Sequence, residues 1–226
     1  MRHAQHPRTP ALDGTEIIAQ KVIVAMDGIT EAKALKLAKL FSSSVWGYKI
    51  NDLLFTDAKI IRKLKKFGDV FADAKLHDIP NTVANSVARL SRAGADIITI
   101  HATGGIPMMK TAKAHAGASK IFAVTVLTSE AHARSVARLV RDAMKAGVDG
   151  IVCSGHDLRI VNRIPGARRL LKMVPGIRPA DYKKNDDQVR IVTPAQAIQR
   201  GADFLVIGRP ITQSKDPLNV LKSLLP

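Results

Sequence analysis

Between residues 73 and 82 the chain reads Asp-Ala-Lys-Leu-His-Asp-Ile-Pro-Asn-Thr, two carboxylates around one ammonium within a few positions. Asp69-Val70-Phe71-Ala72 before it has the make-up of a β-strand, and a helical pattern starts at Thr82. Asp73, Lys75 and Asp78 therefore crowd a strand-to-helix junction. Side chains alternate along a strand, so Asp73 and Lys75 are expected to share a face, with Asp78 in the loop beyond. These are groups suited to acid–base and electrostatic chemistry. Taken alone, the pair also reads as a solvated ion pair at a strand end, which contributes little.

Other polar residues fall at comparable positions. Apolar runs end in Asp27, Lys49, His101, Thr128-Ser129, Pro175-Gly176-Ile177-Arg178 and Gly208-Arg209. On a period of two, Asp27 shares a face with Ala25 and Ile23, and Lys49 with Gly47 and Val45, so both can point inward beside Asp73 and Lys75. His101 reads either as a hydrogen-bonded strand-end histidine or as an acid–base group. Thr128-Ser129 reads either as part of a site or as the cap of a helix beginning at Glu130. A long polar stretch from Arg178 to Arg190 and the Gly208-Arg209-Pro210 strand end suit an anion, because glycine lets backbone approach it and arginine forks onto it. No HExxH, Cys2His2, Gly-x-Gly-x-x-Gly or Gly-x-x-x-x-Gly-Lys-Ser/Thr pattern occurs, so neither a metal nor a nucleotide cofactor has sequence support.

The elements that must position these groups form a repeating series. Strands are predicted over 21–27, 45–50, 69–76, 96–101, 120–127, 150–154, 170–177 and 203–208. Helices are predicted over 30–40, 53–67, 82–93, 105–115, 130–146, 156–162, 195–200 and 217–224. Eight strands each trailed by a helix, with near-continuous apolar strands, predict a closed parallel (β/α)8 barrel with outer helices; an open doubly wound sheet is the rival. In such a barrel chemistry sits at the C-terminal strand ends, where the polar residues above fall. The phrases Ala93-Gly94-Ala95-Asp96, Ala146-Gly147-Val148-Asp149 and Arg200-Gly201-Ala202-Asp203 place a glycine at a helix end just before a strand.

At 226 residues and 46% hydrophobic content, one barrel over residues 21–226 is expected, preceded by a flexible extension over residues 1–20. No apolar run approaches the ~20 residues of a membrane helix, and residues 1–16 lack the apolar core of a secretory signal. The single cysteine, Cys153, lies in an apolar run and reads as a small buried hydrophobe in a reducing, cytoplasmic setting. The net charge of +16 attracts polyanions. Yet the lysines and arginines are spread over many helices and only 4% of residues are aromatic, which speaks against nucleic acid and for solvated helix faces plus a phosphate-bearing small substrate.

From residue 21 to about 212, the sequence resembles the orotidine 5′-monophosphate decarboxylase family, in particular its bacterial branch. The motifs that carry this are Asp73-x-Lys75-x-x-Asp78-Ile79-Pro80-Asn81-Thr82, the Asp27 and Lys49 strand ends, Val126-Leu127-Thr128-Ser129, Pro175-Gly176-Ile177-Arg178-Pro179, Asp187-Gln188-x-Arg190, Thr193-Pro194 and Gly208-Arg209-Pro210-Ile211-Thr212. The resemblance implies decarboxylation of orotidine 5′-monophosphate to uridine 5′-monophosphate without metal or organic cofactor, the last step of de novo pyrimidine nucleotide synthesis. It implies a charge array of Lys49, Asp73, Lys75 and Asp78, with Lys75 the proton donor to C6 and Asp78 and Thr82 shared across a homodimer interface. Asp27 and Lys49 would hold the ribose, and Thr128 and Ser129 would lie along the pyrimidine. Gln188, Arg209 and the backbone at Gly208 would grip the phosphate near Arg178, with Ile79 and Pro175 also at the substrate. The alternative is a magnesium-dependent sugar-phosphate decarboxylase or hexulose-phosphate synthase of the same superfamily.

Overall fold

The structure, a computed structural model, describes residues 19–42, 44–126, 133–179 and 191–224. Strands β1 (Val22–Ala25), β2 (Gly47–Ile50), β3 (Asp69–Leu76), β4 (Ile97–His101), β5 (Lys120–Val124), β6 (Gly150–Val152), β7 (Leu171–Val174) and β8 (Phe204–Ile207) run parallel in sequential order, and β8 pairs back onto β1 to close the barrel. The open-sheet rival is thereby excluded. Around the strands lie α1 (Glu31–Phe41), α2 (Lys59–Leu64), α3 (Pro80–Ala93), α4 (Gly105–Ala114), α5 (Ala133–Ala146), α6 (Leu158–Asn162), α7 (Pro194–Gln199), α8 (Arg209–Thr212) and α9 (Pro217–Ser223).

Because alternate strand residues face opposite ways, the strands feed two cores. Ile23, Ala25, Phe71, Ile97, Phe122, Met173 and Val206 fill the barrel interior. Val22, Val24, Ile98, Ile100, Ile121, Leu205 and Ile207 belong to the larger outer core under the helices. This double burial explains why the strands read as unbroken apolar runs.

The three Gly-x-Asp phrases turn out to be one repeated device at the N-terminal end of the barrel. Each glycine reverses the chain with a left-handed φ, 101° at Gly94 and 75° at Gly147. The following aspartate then grips one residue of the preceding strand at two points. Asp96 N–H donates to Val70 O while its carboxylate accepts from Val70 N–H, both at 2.8 Å. Asp149 does the same to Ile121 (3.0 and 2.8 Å), and Asp203 to Lys172 (2.9 and 2.8 Å). Lysines complete the charge balance, Lys65 on Asp96 at 2.5 Å and Lys113 on Asp149 at 2.7 Å.

Several elements differ from the sequence reading. The helix predicted over 53–67 is broken into a 3-10 turn, Asp52–Phe55, and α2. Thr56 Oγ1 donates to Leu53 O (2.8 Å) and Asp57 accepts from Lys59 N–H (2.8 Å), so local side-chain bonds end one turn and restart the next. Helix α3 starts at Pro80, since proline's fixed φ and missing N–H suit the first helical position. Helix α8 directly after β8 is too short to leave a periodic signal. The predicted strand over 170–177 stops at Val174, with Ile177 only bridging to Val192. The predicted start of the fifth helix at Glu130, and all but the last two residues of the N-terminal extension, lie outside the described residues. Among the described residues, no helix is long and apolar enough to cross a membrane.

The aspartate clasp is testable at Asp149. Asp149→Ala orphans the Ile121 amide and should lower stability by about 1–3 kcal/mol in urea unfolding, whereas Asp149→Asn keeps an acceptor and should cost less. Equal losses in the two variants would show that charge, and not the clasp, matters there.

Candidate functional site

At the C-terminal mouth of the barrel four side chains form an unbroken alternation of charge. Lys49, at the end of β2 opposite Ala25 of β1, donates to both oxygens of Asp27 (2.7 and 2.5 Å) and to Asp73 Oδ2 at 3.2 Å. Lys75 Nζ contacts the same Oδ2 at 2.5 Å. Asp73 Oδ1 accepts from the Thr99 hydroxyl at 2.9 Å, and Asn51 Nδ2 holds the Asp73 carbonyl at 2.6 Å. Lys49 and Asp73 are buried, at 7% and 6% exposure.

Burial is the largest influence on both buried groups and opposes their charged forms, but the partners outweigh it. Desolvation pulls the Lys49 ammonium down, and Asp73 and Asp27 together hold it above its ordinary value. Desolvation pushes the Asp73 carboxyl up, and Lys49 and Lys75 hold it below the usual carboxylate range. Both therefore stay ionised through neutral pH. Removing Asp73 would leave the buried Lys49 ammonium with the half-exposed Asp27 alone, and breaking a buried pair in this way costs about 3–5 kcal/mol.

Lys75 does not sit on the regular strand that alternation predicts. It takes a left-handed φ of 45°, and the β3–β4 register slips between Ala72 and Leu76. The sequence placed Asp73 and Lys75 side by side on simple period-two grounds; a bulge brings their charges together instead.

The array opens onto a cavity of about 510 Å3, within the range of small-molecule sites. Asp27, Lys49, Asp73 and Lys75 line one side, and Val124, Val126, Val152 and Met173 form an apolar wall. Pro175, Gly176 and Arg178 from the end of β7, with Gly208, Arg209 and Thr212 from β8 and α8, close the remainder. Arg178 is buried, and its guanidinium donates to Ile177 O at 2.8 Å. Cys153 is buried on the wall, matching its reading as a small apolar residue. Among the described residues, no three or more His, Cys, Asp or Glu side chains group closely enough to hold a metal ion.

The structure thus gathers Asp27, Lys49, Asp73, Lys75, Pro175, Arg178, Gly208 and Arg209 around one cavity. Asp78, Ile79 and Thr82 do not line it. They stand on an exposed segment beside it, with Ile79 66% exposed and Asp78 accepting from the Ile79 amide at 2.6 Å. Thr128, Ser129 and Gln188 lie outside the described residues. Sequence reading missed Thr99, Asn51 and Asp52, whose carboxylate accepts from Gly28 N–H at 3.0 Å. The signal for Thr99 was a hydroxyl in register with the inward-facing Ile97, between isoleucines of a strand that ends in His101.

His101 ends β4 with its ring 5.7 Å from that of His77. Burial first, then the electrostatic influence of His77 and of the Lys75 ammonium, depress its pKa against the opposing pull of Asp73. It is therefore a neutral imidazole at neutral pH.

A family model described as "Orotidine 5'-phosphate decarboxylase / HUMPS family" matches residues 20–224. The chain belongs to this family. Among its relatives, the orotidine 5′-phosphate decarboxylase of Dichelobacter nodosus is 40% identical over 223 residues, covering 90% of this chain and 96% of that one. That of Haemophilus ducreyi is 41% identical over 225 residues with the same coverage. A crystal structure of orotidine 5′-phosphate decarboxylase from Lactobacillus acidophilus superposes with a TM-score of 0.76 at 33% identity, over 91% of this chain and 97% of that chain. The Pyrococcus horikoshii structure, at 24% identity and a TM-score of 0.70 over 90% of this chain and 96% of that one, shares the barrel.

The depressed His101 pKa sets a sign for stability against pH. Below about 6.5 the unfolded chain takes up this proton before the folded one does, so stability present above that pH is lost as pH falls toward the folded value. Urea midpoints at pH 7.5 and 5.5 should fall more steeply on acidification for the wild type than for His101→Asn; parallel falls would show that His101 is not the group responsible.

Proposed function

We propose that this protein decarboxylates orotidine 5′-monophosphate to uridine 5′-monophosphate and CO2, supplying pyrimidine nucleotide in the cytoplasm. The observation that carries the reading is the Asp27–Lys49–Asp73–Lys75 alternation at the mouth of a nucleotide-sized cavity, in a chain of this family. Cleavage of the bond between C6 and the carboxylate leaves the electron pair on C6, where the ring delocalises it poorly. The protein must meet that charge with a field already in place. Lys75 is the group for this: its ammonium is held by Asp73, so orientation is settled before the reaction begins. Lys75 then gives its proton to C6, and solvent reprotonates the amine.

In this reading Asp27 and Lys49 hold the ribose hydroxyls, and Thr128 and Ser129 lie along the pyrimidine. Gln188, Arg209 and the backbone at Gly208 grip the phosphate beside Arg178, with Pro175 on the cavity wall. Binding energy at the phosphate, remote from C6, serves to complete the site around the reacting carbon. Residues 21–226 act as one catalytic barrel behind the extension of residues 1–20. The active unit is a homodimer in which Asp78 and Thr82 complete the other subunit's site and Ile79 contacts substrate. The exposure of Asp78, Ile79 and Thr82 supports this, since an isologous contact would cover a large apolar side chain and bring carboxylate to a neighbour's Lys75.

The family description also names HUMPS, and the alternative is a magnesium-dependent sugar-phosphate enzyme of the same superfamily, so the deciding assay follows orotidine 5′-monophosphate by ultraviolet absorbance with and without chelator. We expect turnover indifferent to chelator, and a loss on the order of a thousandfold or more in Lys75→Ala with its fold intact. Turnover abolished by chelator, or largely kept without Lys75, would overturn the reading.

A second outcome tests the shared site. Inactive Lys75→Ala and Asp78→Ala proteins, mixed and allowed to exchange subunits, should recover roughly a quarter of wild-type activity, because about half the dimers are mixed and each holds one intact site. Demonstrated exchange without recovery would place Asp78 in its own subunit's site.

A further inference from the structure

We infer that Thr99 is a positioning residue of the charge array: one buried hydroxyl fixes both the Asp73 carboxylate and the backbone that carries Lys75. The inference rests on the proposed reaction and goes beyond it to a residue that does not line the cavity and acts only through Asp73 and Lys75.

The register of β3 on β4 shows why a side chain is needed. Ala72 pairs with Ile98 and Leu76 with Ile100, so Asp73, Ala74 and Lys75 stand opposite Thr99 alone. A regular ladder pairs one residue with one; here two extra residues bulge from β3. The bulge takes the Lys75 N–H off the backbone ladder, and a buried N–H must find another acceptor. It finds Thr99 Oγ1, at 3.0 Å. The hydroxyl's own hydrogen goes to Asp73 Oδ1 at 2.9 Å. A hydroxyl can donate once while accepting, and both capacities are used in the direction that the two partners require.

The two bonds do different things. Lys75 holds a φ of 45°, a conformation that is strained for a residue with a side chain. The bond to its amide offsets that strain and keeps the bulge in one shape. The bond to Asp73 fixes the rotation of the carboxylate, whose other oxygen receives Lys49 and Lys75. Without it, the carboxylate is held through Oδ2 alone, and the direction it imposes on the Lys75 ammonium is less sharply fixed. Thr99 is fully buried, at 0% exposure. Its branched Cβ restricts χ1 on a strand and holds the oxygen between its two partners.

The test compares Thr99→Val, which keeps shape and loses the hydroxyl, with Thr99→Ser, which keeps the hydroxyl. Thr99→Ala serves as the second hydroxyl-free variant should the valine not fold. Two readouts are taken: decarboxylation kinetics, and hydrogen exchange at the Lys75 amide. We expect the hydroxyl-free variants to lower kcat about ten- to a hundredfold with KM little changed, and Thr99→Ser to restore most of it. Protection of the Lys75 amide should fall in the valine and alanine variants and persist in the serine. Wild-type kcat in a hydroxyl-free variant, or equal losses with and without the hydroxyl, overturns the inference. If wild-type protein leaves orotidine 5′-monophosphate untouched, the proposed reaction fails on its own. The exchange readout then still judges the clamp: unchanged protection in the valine and alanine variants overturns it.

Discussion

The Asp73 carboxylate is buried within β3, at the start of its bulge, where an isolated charge would cost several kcal/mol. Most of the mouth of the barrel can be understood as what that one charge requires. Two ammoniums converge on Oδ2, a hydroxyl satisfies Oδ1, and an asparagine holds the carbonyl of the same residue. Lys49 is in turn balanced by Asp27 from the neighbouring strand, which is half-exposed and ends the chain of charges at solvent. The array is thereby neutral by pairs and anchored on β1, β2 and β3. At its far end it offers the one ammonium, Lys75, that is only partly withdrawn from water.

The two ends of the barrel divide their work. At the N-terminal end carboxylates are spent on backbone amides: Asp96, Asp149 and Asp203 each tie a preceding strand at two points. At the C-terminal end they are spent on ammoniums that face a cavity. The same residue type serves stability at one end and a functional field at the other, which is the separation this architecture allows. The lysines and arginines behind the net charge of +16 are spread over many helices. That charge favours approach of an anionic substrate without fixing where that substrate binds.

The fold was legible because its strands are buried on both faces and separated by helix-and-glycine phrases at regular intervals, a pattern that few topologies produce. The broken second helix and the four-residue α8 were not legible, since a Thr56–Asp57 interruption and a single turn leave no periodicity. Asp27, Lys49, Asp73 and Lys75 were visible as polar ends of apolar runs. Thr99 was hidden for a different reason: its role depends on a register slip between β3 and β4, and pairing register across strands cannot be read from either strand alone. Asp78, Ile79 and Thr82 were visible as a motif, yet one chain leaves them exposed beside the cavity.

The bulge joins these observations. A straight β3 would hold Asp73 and Lys75 side by side and keep both amides in the ladder, at less strain. The observed strand instead turns Lys75 through a left-handed conformation, at a cost that only a rigid surrounding can sustain. Rigidity of that kind is what the closed sheet and the N-terminal clasps provide, because neither strand flanking the bulge can shift without breaking its own ladder. Strain at Lys75 and order elsewhere are thus parts of one arrangement. The barrel holds a charged side chain in a position its local sequence would not choose, and that is the condition under which an ammonium can be oriented before there is any negative charge for it to meet.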